Sequence, residues 1–258
     1  MVPGIDGVGR LPSGELAYFL LPDTALGSMA ERTLVDPRRA IVLPDGADPV
    51  AIAAAMNPAM SSWVALRRRI AFPAGATVMV LGATGSAGGL AIRVAKLLGA
   101  GSVLAVGRGG AERLASLGAD AHVSLDGDQD TVAGRLGDAA TRVDVVLDYL
   151  WGDVTADALR AIVPRRADDS QELTWIQIGS MAGLEAPIPS AALRATRLTI
   201  VGSGQGSVAT RDIAAEIGEL AQVITGGDLR VATTAVPLSE VEDWWAARPG
   251  TPRVVLTP

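Results

Sequence analysis

The sequence holds no cysteine and one histidine, His122. Disulfides and a Cys₄ structural zinc site are therefore excluded, as is a catalytic zinc built on Cys and His ligands. Aromatic residues make up 3% of the chain, so any core must be built from Ala, Val, Leu and Ile. Basic side chains are scattered, as in Arg67-Arg68-Arg69 and Arg165-Arg166, and the net charge is −6. That balance offers no dedicated surface for nucleic acid or an anionic membrane. Apolar stretches read as strand-length or broken by Gly and charge, so no membrane span is expected. The opening MVPGIDGVGR has neither a basic n-region nor an apolar h-region, from which a cytoplasmic location is expected. No internal repeat or low-complexity linker is visible.

What is present is an ordinary globular composition: 49% hydrophobic, with 30 Gly and 15 Pro in 258 residues. Runs such as TVMVLGA and VDVVLDYL have the apolar density of strands buried on both faces. Over residues 75–204, strand patterns fall at 77–81, 102–106, 121–125, 143–147, 173–178 and 198–201. Helical spacing separates them, clearest at 90–98, 112–117 and 153–162. Strands alternating with helices imply parallel pairing through right-handed crossovers, which predicts a doubly wound α/β domain with six strands in Rossmann order. Residues 1–42 differ: Gly and Pro punctuate strand-like runs at 14–21 and 28–35, pointing to a small antiparallel β unit. A helix is expected over 49–69, with an interruption at Pro58. Strand patterns at 231–236 and 253–256, with a short helix near Ser239, close the chain.

Gly82-Ala83-Thr84-Gly85-Ser86-Ala87-Gly88 falls between the first buried strand and a helix. Such a turn lets backbone N–H groups approach a pyrophosphate at a helix N-terminus. Ala83 stands where G-x-G-x-x-G has its first Gly, and a tight turn binding nothing would use similar residues. Strand, turn, helix and second strand in register favour a dinucleotide. A carboxylate about 20 residues past the glycines would bind the ribose 2′-hydroxyl of NADH. Arg108 stands there instead, 20 residues beyond Gly88, with Arg113 in the next helix. A guanidinium binds a 2′-phosphate, so NADPH is expected, the alternative for Arg108 being a solvated loop charge. Three later segments at carboxyl ends of strands are expected to meet the cofactor. They carry Tyr149 and Leu150, then Gly179, Ser180 and Met181, then Gly202, Ser203 and Gly204.

Taken in order, PGIDGVG (3–9), GSMAE (27–31), AMSSWVAL (59–66), GATGSAG (82–88), LGAD (117–120), DVVLDYLWG (144–152), IGSMAG (178–183) and RVVLTP (253–258) resemble the zinc-free branch of the medium-chain dehydrogenase/reductases. That branch includes quinone oxidoreductases and enoyl reductases. The resemblance implies a partial GroES-like catalytic domain from 1–62 and 232–258, a Rossmann domain from 63–231, and an active cleft between them. It also implies metal-free hydride transfer from NADPH to a quinone or α,β-unsaturated carbonyl. Ser61 falls where the family often has Thr beside the nicotinamide, and Arg253 matches a basic residue that often reaches the cofactor. Helix capping or packing is the alternative for Ser61 and Ser62. Pairing into a homodimer through the edge at 198–201 is implied as well. In the family PGIDGVG follows several strands, whereas here it follows Met1 and Val2, so uncovered strand edges and apolar surface are expected.

No residue reads as a convincing proton donor. His122 belongs to a strand and reads as structural, while Tyr149, in a loop, reads as stacking or packing. Trp244 and Trp245 are expected to pack between domains or line an interface. Two further readings stay open: an NADPH-binding sensor or interaction subunit without turnover, and a non-redox enzyme that reuses the cleft.

Overall fold

The computed structural model describes residues 1–21, 25–245 and 252–258. It divides into two compact units, Met1–Met60 with Ala209–Pro258, and Ser61–Val208. The first unit opens with an antiparallel sheet of β1 (Asp6–Arg10), β2 (Leu16–Leu20) and β3 (Ala40–Val42), in that order. Gly7 pairs with Phe19, and a Cβ on Gly7 would lie 3.0 Å from the ring, so the aromatic side chain covers a strand residue that has none of its own. Asp48 Oδ1 accepts from Val50 N at 2.9 Å and starts α1 (Pro49–Val64).

The second unit carries β4 (Thr77–Leu81), α2 (Ser86–Leu97), β5 (Ser102–Gly107), α3 (Ala111–Ser116), β6 (Ala121–Ser124), α4 (Gln129–Ala139), β7 (Val145–Asp148), α5 (Gly152–Ile162), β8 (Leu173–Gln177), α6 (Ala192–Ala195) and β9 (Leu198–Gly202). All six strands are parallel, in the order β6-β5-β4-β7-β8-β9. Strand order reverses between β4 and β7, which is where doubly wound sheets bind ligands at their carboxyl edge. Met79, Leu81, Val106, Val146, Leu159, Ile162 and Trp175 pack as one buried cluster, with helices covering the sheet. The apolar runs read in the sequence are continuous for this reason.

Back in the first unit, α7 (Thr210–Gly226) precedes a parallel pair, β10 (Thr233–Pro237) and β11 (Arg253–Thr257). The short α8 (Val241–Trp244) lies between them in sequence. Part of the expected 232–258 segment, 246–251, lies outside the described residues. The sequence division counts 210–226 with the Rossmann part, while its contacts group it with the first unit. Trp245 is exposed and lines a shallow apolar groove with Pro3, Met29, Leu238 and Val241.

The doubly wound sheet is as expected; two other expectations are corrected. No strand forms over 28–35, because Ser28 N and Met29 N bond to Gly4 O and Pro3 O instead of joining a ladder. Pro58 does not interrupt α1, which continues to Val64 and passes into a π-helical turn, Ala65–Arg69. Pro49–Arg69 is long and apolar enough by composition to pass for a membrane span, as a core helix also can, and 61% of its most apolar window is buried within the fold.

Candidate functional site

The glycine turn is fastened to the end of β5. Gly82 N and Ala83 N both donate to Val106 O at 2.9 Å. Gly82 has φ +93°, which glycine adopts without strain. Gly88 allows the first turn of α2 to lie against the strand end: a Cβ there would meet Gly82 O and come within 2.8 Å of Ala83 Cα. Gly85 is different. It is exposed, its φ is −72°, and a Cβ would meet nothing nearer than Gly82 O at 3.6 Å. The protein's own packing therefore leaves room at Gly85, where a ligand backbone would approach. No side chain caps α2, so the donors of its first turn are left to another acceptor. Uncapped donors beside an open glycine fit a pyrophosphate.

Three carboxyl-edge loops lie against one another, two of them joined by main-chain hydrogen bonds. Tyr149 and Leu150, after β7, close on Gly82, whose Cβ would lie 3.1 Å from Leu150 Cδ2. On the other side, Met181 N and Ala182 N donate to Tyr149 O and Leu150 O at 3.2 and 2.8 Å. A Cβ on Gly179 would lie 2.8 Å from Tyr149 O, and one on Gly152 2.9 Å from Ala182 O. Asp148 anchors this seam. Its carboxylate is fully buried and accepts from Leu150 N (2.8 Å), Trp151 N (2.9 Å), Thr155 Oγ1 (2.5 Å) and Trp175 Nε1 (2.8 Å). Four donors satisfy the buried carboxyl oxygens. Trp151 takes φ 56° and ψ −160°, the one positive φ outside glycine among the described residues. That region costs a side-chain-bearing residue on the order of 1–3 kcal/mol. The sequence reading placed Asp148 and Trp151 in the segment after this strand but missed the anchoring role of Asp148, its partners Thr155 and Trp175, and the strain at Trp151. The available signal was a lone carboxylate closing an apolar strand.

Ser61, on α1, meets Tyr149: the two hydroxyls lie 3.0 Å apart. Burial pushes the Tyr149 phenol up to about 12, only partly offset by hydrogen bonds from Ser61 and Ser62. The pair can hold or pass a proton between neutral hydroxyls. Arg108 is exposed at the end of β5, and its charge acts on Asp126, which also accepts from Ser124 Oγ and Gly109 N. Arg113 Nη1 donates to Thr84 O at 3.0 Å, bracing the turn from α3. Gly202, Ser203 and Gly204 follow β9, where Arg69 donates to Gly202 O and Ser207 O. Ser180 and Met181 are exposed. Arg253 lies in the first unit, where its charge acts on Asp6 and Tyr18. There, burial pushes Asp6 up, against a hydrogen bond from Tyr18 Oη at 2.9 Å. His122 is on the edge strand β6 and has a buried, unpartnered Nε2. Among the described residues, no cluster of three His, Cys, Asp or Glu could hold a metal ion.

A reversed parallel sheet with an open glycine turn leading into an uncapped helix defines a dinucleotide-binding α/β protein. No family model matches the chain. Over 94% of its length it is 31% identical to the “Probable NADPH-dependent quinone reductase tdiC” of Emericella nidulans, 79% of which is covered. The chain belongs to the quinone oxidoreductase family of the medium-chain dehydrogenase/reductases. The resemblance read from the motifs is thereby borne out. Among solved structures, the quinone oxidoreductase of Thermus thermophilus, whose structures include an NADPH complex, is 25% identical. It superimposes with TM-score 0.75, over 95% of this chain and 76% of that one. The Escherichia coli quinone oxidoreductase complexed with NADPH shares the fold at 18% identity and TM-score 0.78, over 99% and 82%. So does an alcohol dehydrogenase superfamily protein from Novosphingobium aromaticivorans, at 20% identity and TM-score 0.74, over 98% and 80%.

Proposed function

We propose that this chain is an NADPH-dependent reductase of quinones, with α,β-unsaturated carbonyls as the related acceptor class. The 31% identity to a protein named as such, along nearly the whole chain, carries the reading. When bound, NADPH supplies a hydride from C4 of its nicotinamide, which with one proton turns a quinone into a hydroquinone and leaves NADP⁺. The segment from Gly82 to Gly88 holds the pyrophosphate on uncapped backbone donors, and Gly85 gives it room. Arg108 binds the 2′-phosphate, and Arg113 keeps the turn in place through Thr84 O. Tyr149, Leu150, Gly179, Ser180, Met181, Gly202, Ser203 and Gly204 line the nicotinamide half, with Ser61 joined to them through Tyr149. Arg253 is assigned to the cofactor on the family pattern alone.

The assignment of 1–62 with 232–258 as catalytic domain and 63–231 as cofactor domain belongs to this proposal, as does a cytoplasmic location. So does a homodimer through β9, an edge strand of the six-stranded sheet. Sedimentation at micromolar concentration checks the dimer, and a monomer counts against it.

The test is titration with NADPH and NADH, followed by NADPH oxidation with a quinone panel. Binding should prefer NADPH, and Arg108→Ala should weaken NADPH by about 10- to 100-fold and leave NADH unchanged, as loss of charge-assisted bonds to one phosphate predicts. Binding without oxidation of any acceptor would make the chain a sensor or non-redox protein, and no binding would overturn the reading.

A further inference from the structure

The strained residue at the carboxyl edge is a tryptophan at a position shaped for glycine. Asp148 Oδ1 holds Trp151 N at 2.9 Å on one side. On the other, Gly152 is pressed against Ala182 O. This backbone path is satisfied by main-chain and Asp148 contacts, and glycine would follow it without strain. The chain instead carries its largest side chain there, half-buried.

The rest of this edge offers no other aromatic face. In the second unit Trp63, Tyr149 and Trp175 are buried, Tyr149 bonding to Ser61 and Trp175 to Asp148. Phe72 precedes the amino end of β4. The remaining loop residues are small, as Gly179, Ser180, Gly202, Ser203 and Gly204 are, or flexible and aliphatic in character, as Leu150 and the exposed Met181 are. Trp151 follows β7, on the side of the strand reversal that takes the nicotinamide half of a dinucleotide, away from Arg108 after β5. A flat aromatic acceptor must lie beside that half, and an indole face is suited to stack with it. We propose that Trp151 selects the acceptor, its indole forming a wall for the ring system of polycyclic quinones. This rests on the quinone reductase reading and goes beyond it in naming the residue that discriminates among acceptors.

The test compares the full-length wild type with Trp151→Phe, Trp151→Ala and Trp151→Gly. NADPH affinity is measured by titration, and acceptor dependence with 1,4-benzoquinone and 9,10-phenanthrenequinone. NADPH affinity should stay within about threefold throughout, and KM for the three-ring quinone should rise about 3- to 10-fold in the Ala and Gly variants, the loss expected of one stacking contact. The rise should exceed any fall in kcat, be smaller for benzoquinone, and be largely rescued in Trp151→Phe. Separately, Trp151→Gly should melt about 2–5 °C above Trp151→Ala, because glycine relieves the backbone.

Unchanged KM in every variant, or NADPH affinity falling in step with it, overturns the proposal, as does a Phe variant no better than Ala. Equal melting of the Ala and Gly variants overturns its premise. An inactive wild type counts against the reductase reading alone. The wall is then judged by saturable quenching of tryptophan fluorescence by phenanthrenequinone, which Trp151→Phe must lose.

Discussion

At the scale of single residues, Asp148 has the most dependants. Its partners sit at 150, 151, 155 and 175, so truncation leaves four donors without their acceptor in a dry interior. Asp148→Ala should cost at least ~3 kcal/mol and Thr155→Val about 1–2 kcal/mol, read as shifted urea midpoints with unchanged slope. Tyr149 gives a pH signature. Its folded value, about 12, lies above the ordinary 10, so the native state keeps a proton that the unfolded chain releases. The stability this provides is complete below pH 10 and is lost as pH rises toward 12, by roughly 1.4 kcal/mol per unit. Tyr149→Phe should flatten that part of the alkaline unfolding curve, and an unchanged curve would show that the phenol ionises freely. None of this was legible beforehand, since a carboxylate's donors cannot be read from a one-dimensional string when they come from different elements. Arg108 was legible because its argument is local: a cation at a set distance from a glycine turn.

At the scale of elements, the turn from β4 into α2 separates two kinds of glycine that look alike in sequence. Gly88→Ala pushes a methyl into Gly82 O and Ala83 Cα, and should cost about 2–4 kcal/mol and cofactor affinity together. Gly85→Ala meets no protein atom closer than 3.6 Å, at a φ any residue adopts. It should leave the melting temperature within about a degree, yet weaken NADPH tenfold or more by crowding the phosphate, ~1.4 kcal/mol or above. Calorimetry beside a binding titration separates the two effects, and equal behaviour of both variants would mean that the turn does not cradle a ligand. The β-rich segment was less legible. The run at 28–35 has strand-like composition, yet its backbone bonds to residues 3 and 4. Meanwhile the glycine-rich β1 is a strand because a facing Phe19 makes up for missing side chains.

At the scale of the molecule, the four inner strands of the parallel sheet could be read because they are buried along most of their length and announce themselves as apolar runs, while the edge strands β6 and β9 are partly exposed. The grouping of α7 with the first unit could not, since a helix's partners are not written in its own periodicity. The two units give a whole-molecule expectation: NADPH should slow amide hydrogen exchange first in the second unit, around 79–90 and 103–110, with smaller changes over 6–20. Protection confined to 6–20 would refute the cofactor placement. The seam of three loops also acts on descent. Gly82, Gly152 and Gly179 admit no side chain without parting their neighbours, so any replacement there should cost the seam its packing. Trp151, Ser180 and Met181 share the seam's backbone but do not fill it, so their side chains can change without parting it. A lineage built on this frame can exchange the molecules it reduces while the source of its electrons stays fixed.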